Sequence, residues 1–564
     1  GFQGTLGRTV KFEAYHNYGR TSEELLLANN RIEDRFFAAI DAVADGNGNP
    51  VCRSTLDPTA PPPVTSPFPA IEPGFRTFNP GDGTCQPLNI FGNGAGSQEA
   101  IDFVTEDAVR NSVIDQHVAH VSLSGDSSEF GFQLPAGVIG FAAGYEYRRE
   151  FSRFRPDAFA QTGLSFDGST ITGLQGSYDV NEVFGELSIP VLNNLPAVQS
   201  LTLDAAIRVA DYSTVGTNIS WRLGGTWTPV QGIRLRGGYS VAVRAPNVGE
   251  LFQPETAAFF RPIDPCDADE IAALDDPTIR SQNCAADGLP EDYTDPLTGR
   301  FAGVRSGNRD LDEETARTYT IGIVGAPRFL RGFTFSIDYF DIEVDDAIDL
   351  ISSQDILNNC YDDPNGIDNL FCDQFTRNRL PGSPTLGGLN FLRVSQLNLA
   401  QRRVSGIDFE MTYALPTKQM LSRDFGLLVF RVFGTHLIDL EDLPNQDDPS
   451  FVNPELKEVR RPQWNINGGV RWQYDRLQVN YGLTYMSNQA YDDVEIETAE
   501  QTFVNPFAGE FYIHNVSANF EVYDGLFVYG GINNLFGADP LGSSTSFPVS
   551  PLGRTFFLGV NSTL

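Results

Sequence analysis

No stretch of the chain approaches the roughly 18 consecutive apolar residues of a membrane-spanning helix, so a helical membrane protein is excluded. Basic charge is scarce. With 39 Lys and Arg against 73 Asp and Glu, the formal net charge is -34. That sets aside nucleic acid, whose phosphates require Lys and Arg, and it disfavours peripheral binding to anionic lipid surfaces. Histidine is rarer still. His16, His117, His120, His436 and His514 show no metal-ligand spacing, and the HVAH stretch at 117–120 lies in a segment read as a strand, where residues three apart face opposite ways. No C-x-x-C, nucleophile elbow, phosphate loop or fixed internal repeat is present, which removes the usual zinc, redox, hydrolase, nucleotide and solenoid signatures. DGNGNP at 45–50 has the front half of a calcium loop, but Pro50 stands at the glycine position and Leu56 at the bidentate acid, so it reads as a turn. The adjacent carboxylates Asp345/Asp346 and Glu313/Glu314 point opposite ways on a strand and do not frame a substrate. No cofactor is implied, and an enzyme is not expected.

What is present suits strands. Phe (42), Tyr (19) and Gly (54) are abundant while Met (3) is not, a balance that favours pleated segments and tight turns. Mean hydropathy of -0.21 looks like an ordinary soluble protein. Barrel strands that hide half their side chains in a polar lumen give the same average. The decisive signal is strict alternation. In LTLDAAIRVADY, Leu201, Leu203, Ala205, Ile207 and Val209 oppose Thr202, Asp204, Ala206, Arg208 and Ala210. The same period of two recurs in ISWRLGGTWTP (219–229), IRLRGGYSVAVRA (233–245) and LQVNYGLTYM (477–486). These runs are long enough for a tilted strand to cross a bilayer, which takes about 9 to 11 residues. Arginine recurs on the polar face, as at Arg208, Arg222, Arg234 and Arg236, which suits a wet lumen and not a lipid face.

Sixteen strands are expected, near 7–20, 113–126, 135–152, 174–190, 199–212, 217–229, 232–244, 313–326, 330–346, 393–415, 425–438, 462–475, 476–489, 510–523, 524–536 and 553–564. Short links alternate with long ones, the longest being about 21–112, 245–312 and 347–392; only the link near 213–217 is short where a long one is due. Short turns on one side and long loops outside is the arrangement of an outer-membrane barrel. The six cysteines fall as local pairs in the long segments, Cys52 with Cys85, Cys266 with Cys284 and Cys360 with Cys372, and read as loop disulfides formed in an oxidising compartment. Short helices are expected in the loops at 31–45, 267–276 and 346–359.

YSVAVRAPNVGELF at 239–252 resembles the strand-to-loop segment of TonB-dependent receptors. GNRDLDEETARTYTIGI (307–323), FDIEVDDAI (340–348), and NNLFGADPL followed by PLGRTFFLGVNSTL are similar to later stretches of the same family. VCR, LNIFG and AAGYEYRRE resemble a subgroup of it, while the family's usual terminal aromatic is replaced by Leu564. The resemblance implies an all-β transmembrane antiparallel barrel of 22 strands plugged by an N-terminal domain, with about sixteen strands in view. It also implies that the plug and about six strands lie outside this chain, which then forms barrel throughout residues 1–564. It further implies TonB as a partner through an N-terminal segment, outer-membrane lipid around the wall, a scarce small-molecule nutrient such as a carbohydrate or siderophore, and a Gram-negative outer membrane. A passive porin is the nearest alternative, and a secreted β-rich hydrolase comes lower. Contact with ligand is expected at the outer mouth, from Arg244, Phe252, Phe259 and Phe260, because exposed aromatics stack on sugars or aromatic chelators; packing within the loop is the competing role. The lumen arginines are expected to face a plug or to pair with lumen carboxylates such as Asp204.

Overall fold

The computed structural model describes the chain except for residues 61–75, 165–170, 275, 422, 444–451, 491–503, 541–546 and 563–564. Its main feature is one antiparallel sheet in which strands consecutive along the wall pair with each other. Sixteen strands make that wall. The first eight are Val10–Arg31, Thr105–Asp126, Gly140–Pro156, Leu174–Leu195, Val198–Tyr212, Gly216–Val230, Ile233–Arg244 and Glu314–Gly325. The second eight are Phe333–Leu350, Leu389–Pro416, Leu427–Leu443, Trp464–Tyr474, Leu477–Met486, Phe511–Tyr523, Leu526–Asn533 and Thr555–Ser562. Every strand expected from alternation is there. A short strand, Phe2–Leu6, adds a hairpin to the first. No ladder among the described residues joins Phe2–Leu6 to Thr555–Ser562.

Register explains the alternation. Leu203 lies opposite Gly225 and Ile189, and Ile207 opposite Trp221 and Gly185, so one apolar face is continuous across strands. That face is left open: Leu223 is 57% and Ile321 64% exposed. A large exposed apolar surface of this kind is unstable in water and stable in a bilayer. Aromatic rings gather at both margins of the band. Tyr239–Tyr319, Trp221–Tyr239 and Tyr485–Tyr512 pack together on the long-loop side, and Trp472–Tyr474 on the short-turn side. Such girdles sit where a membrane meets water. The opposite face is polar and carries Arg208, Arg222 and Arg236. The fold is that of a transmembrane antiparallel β-barrel.

Several strands outrun the bilayer. Val10–Arg31 and Thr105–Asp126 have 22 residues each and Leu389–Pro416 has 28, where about 9 to 11 suffice for crossing. The segments expected as loops from residue 21 and from 347 therefore begin as paired strand, because backbone ladders continue in water where no apolar face is needed. Between residues 244 and 314, two further strands, Thr256–Phe260 and Phe301–Ser306, pair with each other; the latter also runs parallel to Arg393–Ser395.

Helices Ala268–Ala272, Thr278–Ala286 and Ser353–Tyr361 pack onto this satellite sheet. Two helix expectations shift. The helix read at 31–45 is Glu33–Ile40 followed by a hairpin, Ala42–Ala44 with Pro50–Cys52. The one read at 346–359 starts only at Ser353, because Ala347–Leu350 still pairs as strand. The DGNGNP stretch is the turn of that hairpin. The Asp45 carboxylate accepts hydrogen bonds from the backbone N–H of Asn47 and Asn49, both at 2.8 Å, which holds its pKa below the usual carboxylate value.

Candidate functional site: the outer mouth and its loop domain

Arg244 ends its strand on the polar face and is held from two sides. Its guanidinium donates to Glu314 Oε2 and Oε1 at 2.5 and 2.7 Å and to Glu250 at 3.0–3.1 Å. Glu314 is the cross-strand partner in the ladder. Glu250 arrives through a local device: Asn247 caps the helix Val248–Phe252, and the Glu250 carboxylate accepts from the Asn247 backbone N–H at 2.8 Å in a capping box. The R-A-P-N-x-x-E pattern thus ties strand end to loop start. Arg244 is a clamp, with its donors committed to carboxylates.

Phe252 follows on that helix and lies over Gly176 of the neighbouring wall, where an added Cβ would come within 2.4 Å of the ring. The Arg309 guanidinium sits 5.4 Å from its centroid. Phe260 is only 5% exposed and belongs to the loop-domain core with Phe301, Leu389 and Leu392, so its ring packs inward and is not offered to solvent. Phe259 is half-buried on the same strand. Arg305 stacks over the Phe260 ring at 5.7 Å. Among the described residues neither Arg305 nor Arg309 forms an ion pair, and both are exposed. Alternation did not reveal these two, because they lie beyond the barrel in a short satellite strand and its exit.

Beneath them the loop domain is organised by a residue that the sequence left unremarked. The Arg377 guanidinium reaches Asp264 Oδ2 and Oδ1 at 2.5 and 2.8 Å, the Tyr361 hydroxyl at 2.8 Å and the Gly387 carbonyl at 2.9 Å. The Tyr293 hydroxyl donates to Asp264 at 3.1 Å, and that of Tyr361 to Asp287 at 2.7 Å. Burial works against the Arg377 charge, but Asp264 and Tyr361 outweigh it and keep the group firmly protonated. Burial, with nearby carboxylates, pushes the phenols of Tyr293 and Tyr361 up. All three disulfides form as paired along the chain, Cys52–Cys85, Cys266–Cys284 and Cys360–Cys372, leaving no free cysteine. The second and third lie in the core around Arg377.

The lumen arginines divide. Arg208 donates to Glu182 at 2.8 Å and lies 5.5 Å over Phe184; Arg236 makes a two-pronged bond to Asp338 at 2.7 and 2.6 Å. Arg222 forms no ion pair among the described residues; it shares with Lys11, Glu186 and Asp204 the wall of an open cavity of about 780 Å³. Arg234 likewise has no ion-pair partner among them. The HVAH histidines point opposite ways. His120 faces the lumen, stacked on Tyr15 and near Glu146, while His117 packs against Tyr18 outside. No His, Cys, Asp or Glu grouping among the described residues has the makings of a metal site.

A family model described as TonB dependent receptor-like, beta-barrel, matches residues 74–535. Among solved structures, the chain is similar to the siderophore receptor PirA of Acinetobacter baumannii, with 15% identity and a TM-score of 0.51 over 81% of this chain and 59% of that one. It is also similar to PirA of Pseudomonas aeruginosa, with 16% identity and a TM-score of 0.44 over 81% and 60%. The chain thus spans about three fifths of the length of these receptors. The match of the family model across most of the wall shows that this chain belongs to the TonB-dependent receptors, as part of their β-barrel.

Proposed function

We propose that the chain is the barrel portion of an outer-membrane receptor of a Gram-negative bacterium that imports a scarce small molecule, siderophore-like in class, with energy delivered through TonB. The family match carries this reading. At the mouth, Arg305 and Arg309 lie over Phe260 and Phe252 with no ion-pair partner among the described residues. The exposed guanidinium groups, each backed by a ring, suit an anionic, ring-bearing chelate, which gains charge and stacks on the guanidinium plane. Phe252 and Phe259 belong to the same mouth. The net charge of -34 opposes a highly anionic ligand at long range. The two arginines provide a local exception, since charges beyond about 8 Å are screened at physiological salt.

The test is uptake of iron(III) catecholate chelates by cells that carry the full-length protein as their sole receptor, with and without TonB and with and without a protonophore. Uptake that vanishes without TonB supports the reading. Uptake indifferent to both treatments would point to a passive pore.

A further inference from the structure

A polar groove lies on the outward face of the wall, where lipid and not lumen is the neighbour. It is lined by His16, Asp115, His117, Tyr147, Arg149 and Phe151, with a volume of about 580 Å³. Register fixes the face. His117 pairs across to Arg149 and Tyr18, and two steps down the same face Val121 pairs to Tyr145 and Ala14. Val121 is 55% exposed, within the apolar band. Four residues of strand, at about 3.4 Å each and tilted by about 40°, put His117 about 10 Å above Val121. The groove therefore opens at the level of lipid headgroups.

Its cations are loosely held. Arg20 and Arg149 stand 3.6 and 3.8 Å from Asp115 and Asp179, and both side chains are about half exposed. Neither carboxylate is the arginine's own. Asp115 also accepts from the Tyr18 hydroxyl at 3.2 Å, and Asp179 from that of Tyr147 at 2.8 Å. Elsewhere on the outer rim the balance is different: Arg317 contacts both Glu343 and Asp345, and Glu343 also meets Arg403 at 3.2 Å. Arg149 lines the groove and Arg20 borders it through Asp115; among the described residues neither guanidinium has a closer carboxylate, and His16 and His117 add ring nitrogens. The His117 ring lies 4.6 Å from Tyr18 and 5.7 Å from His16. A bound group here meets several N–H donors above a floor of rings.

We propose that this groove binds the phosphate of a phosphorylated outer-leaflet glycolipid headgroup. A phosphate presents several acceptor oxygens, matching the fork of a guanidinium, and a headgroup anchored by acyl chains packed on Val121 and its neighbours arrives at the required height. A free anion would gain no such placement. The acidity of the chain as a whole argues against general attraction of anionic lipid, so binding here depends on the local cluster.

The experiment is native mass spectrometry of the full-length protein in detergent, presented with a glycolipid phosphorylated on its sugar and with the same lipid dephosphorylated. The wild type is expected to retain the phosphorylated lipid at least tenfold better. The double variant R20Q/R149Q, its fold checked by heat-modifiable gel mobility, loses that preference, and R317Q keeps it. Equal retention of the two lipids by the wild type overturns the proposal without recourse to any variant. Equal retention of the phosphorylated lipid by R20Q/R149Q overturns it as well. Displacement of the lipid by inorganic phosphate at equal concentration would reassign the groove to soluble anions.

Discussion

Arg377 and Asp264, 113 residues apart, meet in a two-pronged ion pair whose side chains are 1% and 0% exposed. A buried pair of this kind holds its surroundings by penalty. Removing one partner strands the other charge, at a cost of roughly 3–5 kcal/mol, whereas replacing both by apolar groups of similar volume is often neutral. Arg377→Met alone is expected to open the loop domain, seen as proteolysis within residues 245–390, while the barrel keeps its heat-modifiable mobility. R377M/D264L is expected to recover much of the protection. Protection unchanged in Arg377→Met would remove the pair from its organising role.

The disulfides in the same domain close spans of 18 and 12 residues. Chain-entropy bookkeeping gives each about 3 kcal/mol. Alkylation without reductant should label no cysteine and after reduction all six, and the reduced protein should lose hydrogen-exchange protection in helices Thr278–Ala286 and Ser353–Tyr361. Labelling before reduction would refute the pairing.

Asp355 lies in the first turn of the helix Ser353–Tyr361, outside the membrane-spanning segments, and burial raises its pKa above 3.8 despite a 2.6 Å bond from the Ser352 hydroxyl. A folded-state pKa raised above the unfolded value means stability that is fully present below pH 3.8 and lost as pH rises through the folded value. Protection of this helix should therefore grow as pH falls from neutral toward 3.8. Asp355→Asn should remove that growth relative to wild type. Identical pH profiles in the two proteins would contradict the assignment.

Outward and lumen positions should respond oppositely to charge. Leu203, 48% exposed on the apolar face, is expected to lose about 2–4 kcal/mol as Leu203→Arg near the bilayer midplane. Ala206, opposite Arg222 in the ladder and lining the lumen cavity, should accept arginine at far lower cost. Urea titrations of folding into vesicles compare the two.

These contrasts mark what one chain reveals about itself. The face of Leu203 and Ile207 was legible because a bilayer demands apolar side chains at every second position. The cysteines were legible because each partner is the next along the chain. The strand extension over residues 21–31 was not, since a ladder in water imposes no period on TSEELLLANNR. Nor was the hairpin Phe2–Leu6, whose few residues carry no clear alternation. Arg377 was invisible for a different reason: its partner Asp264 lies on another loop, and nothing local distinguishes a buried arginine from a solvated one. At the mouth, R-A-P-N was legible as a motif, but Arg244 proves to clamp Glu250 and Glu314, and Arg305 and Arg309, without an ion pair among the described residues, sit in a stretch with no periodic signal.

The proposed receptor requires a wall that crosses the membrane with its disulfide-bonded loop domain outside and its short turns inside. An epitope inserted at Gly382, in an exposed turn of that domain, tests it together with one at Phe329, which is 91% exposed in the turn before Phe333–Leu350. Antibody is expected to label intact cells through the first insertion and to reach the second only after the outer membrane is opened. Labelling of intact cells at Phe329 but not at Gly382, or equal labelling at both, would contradict it.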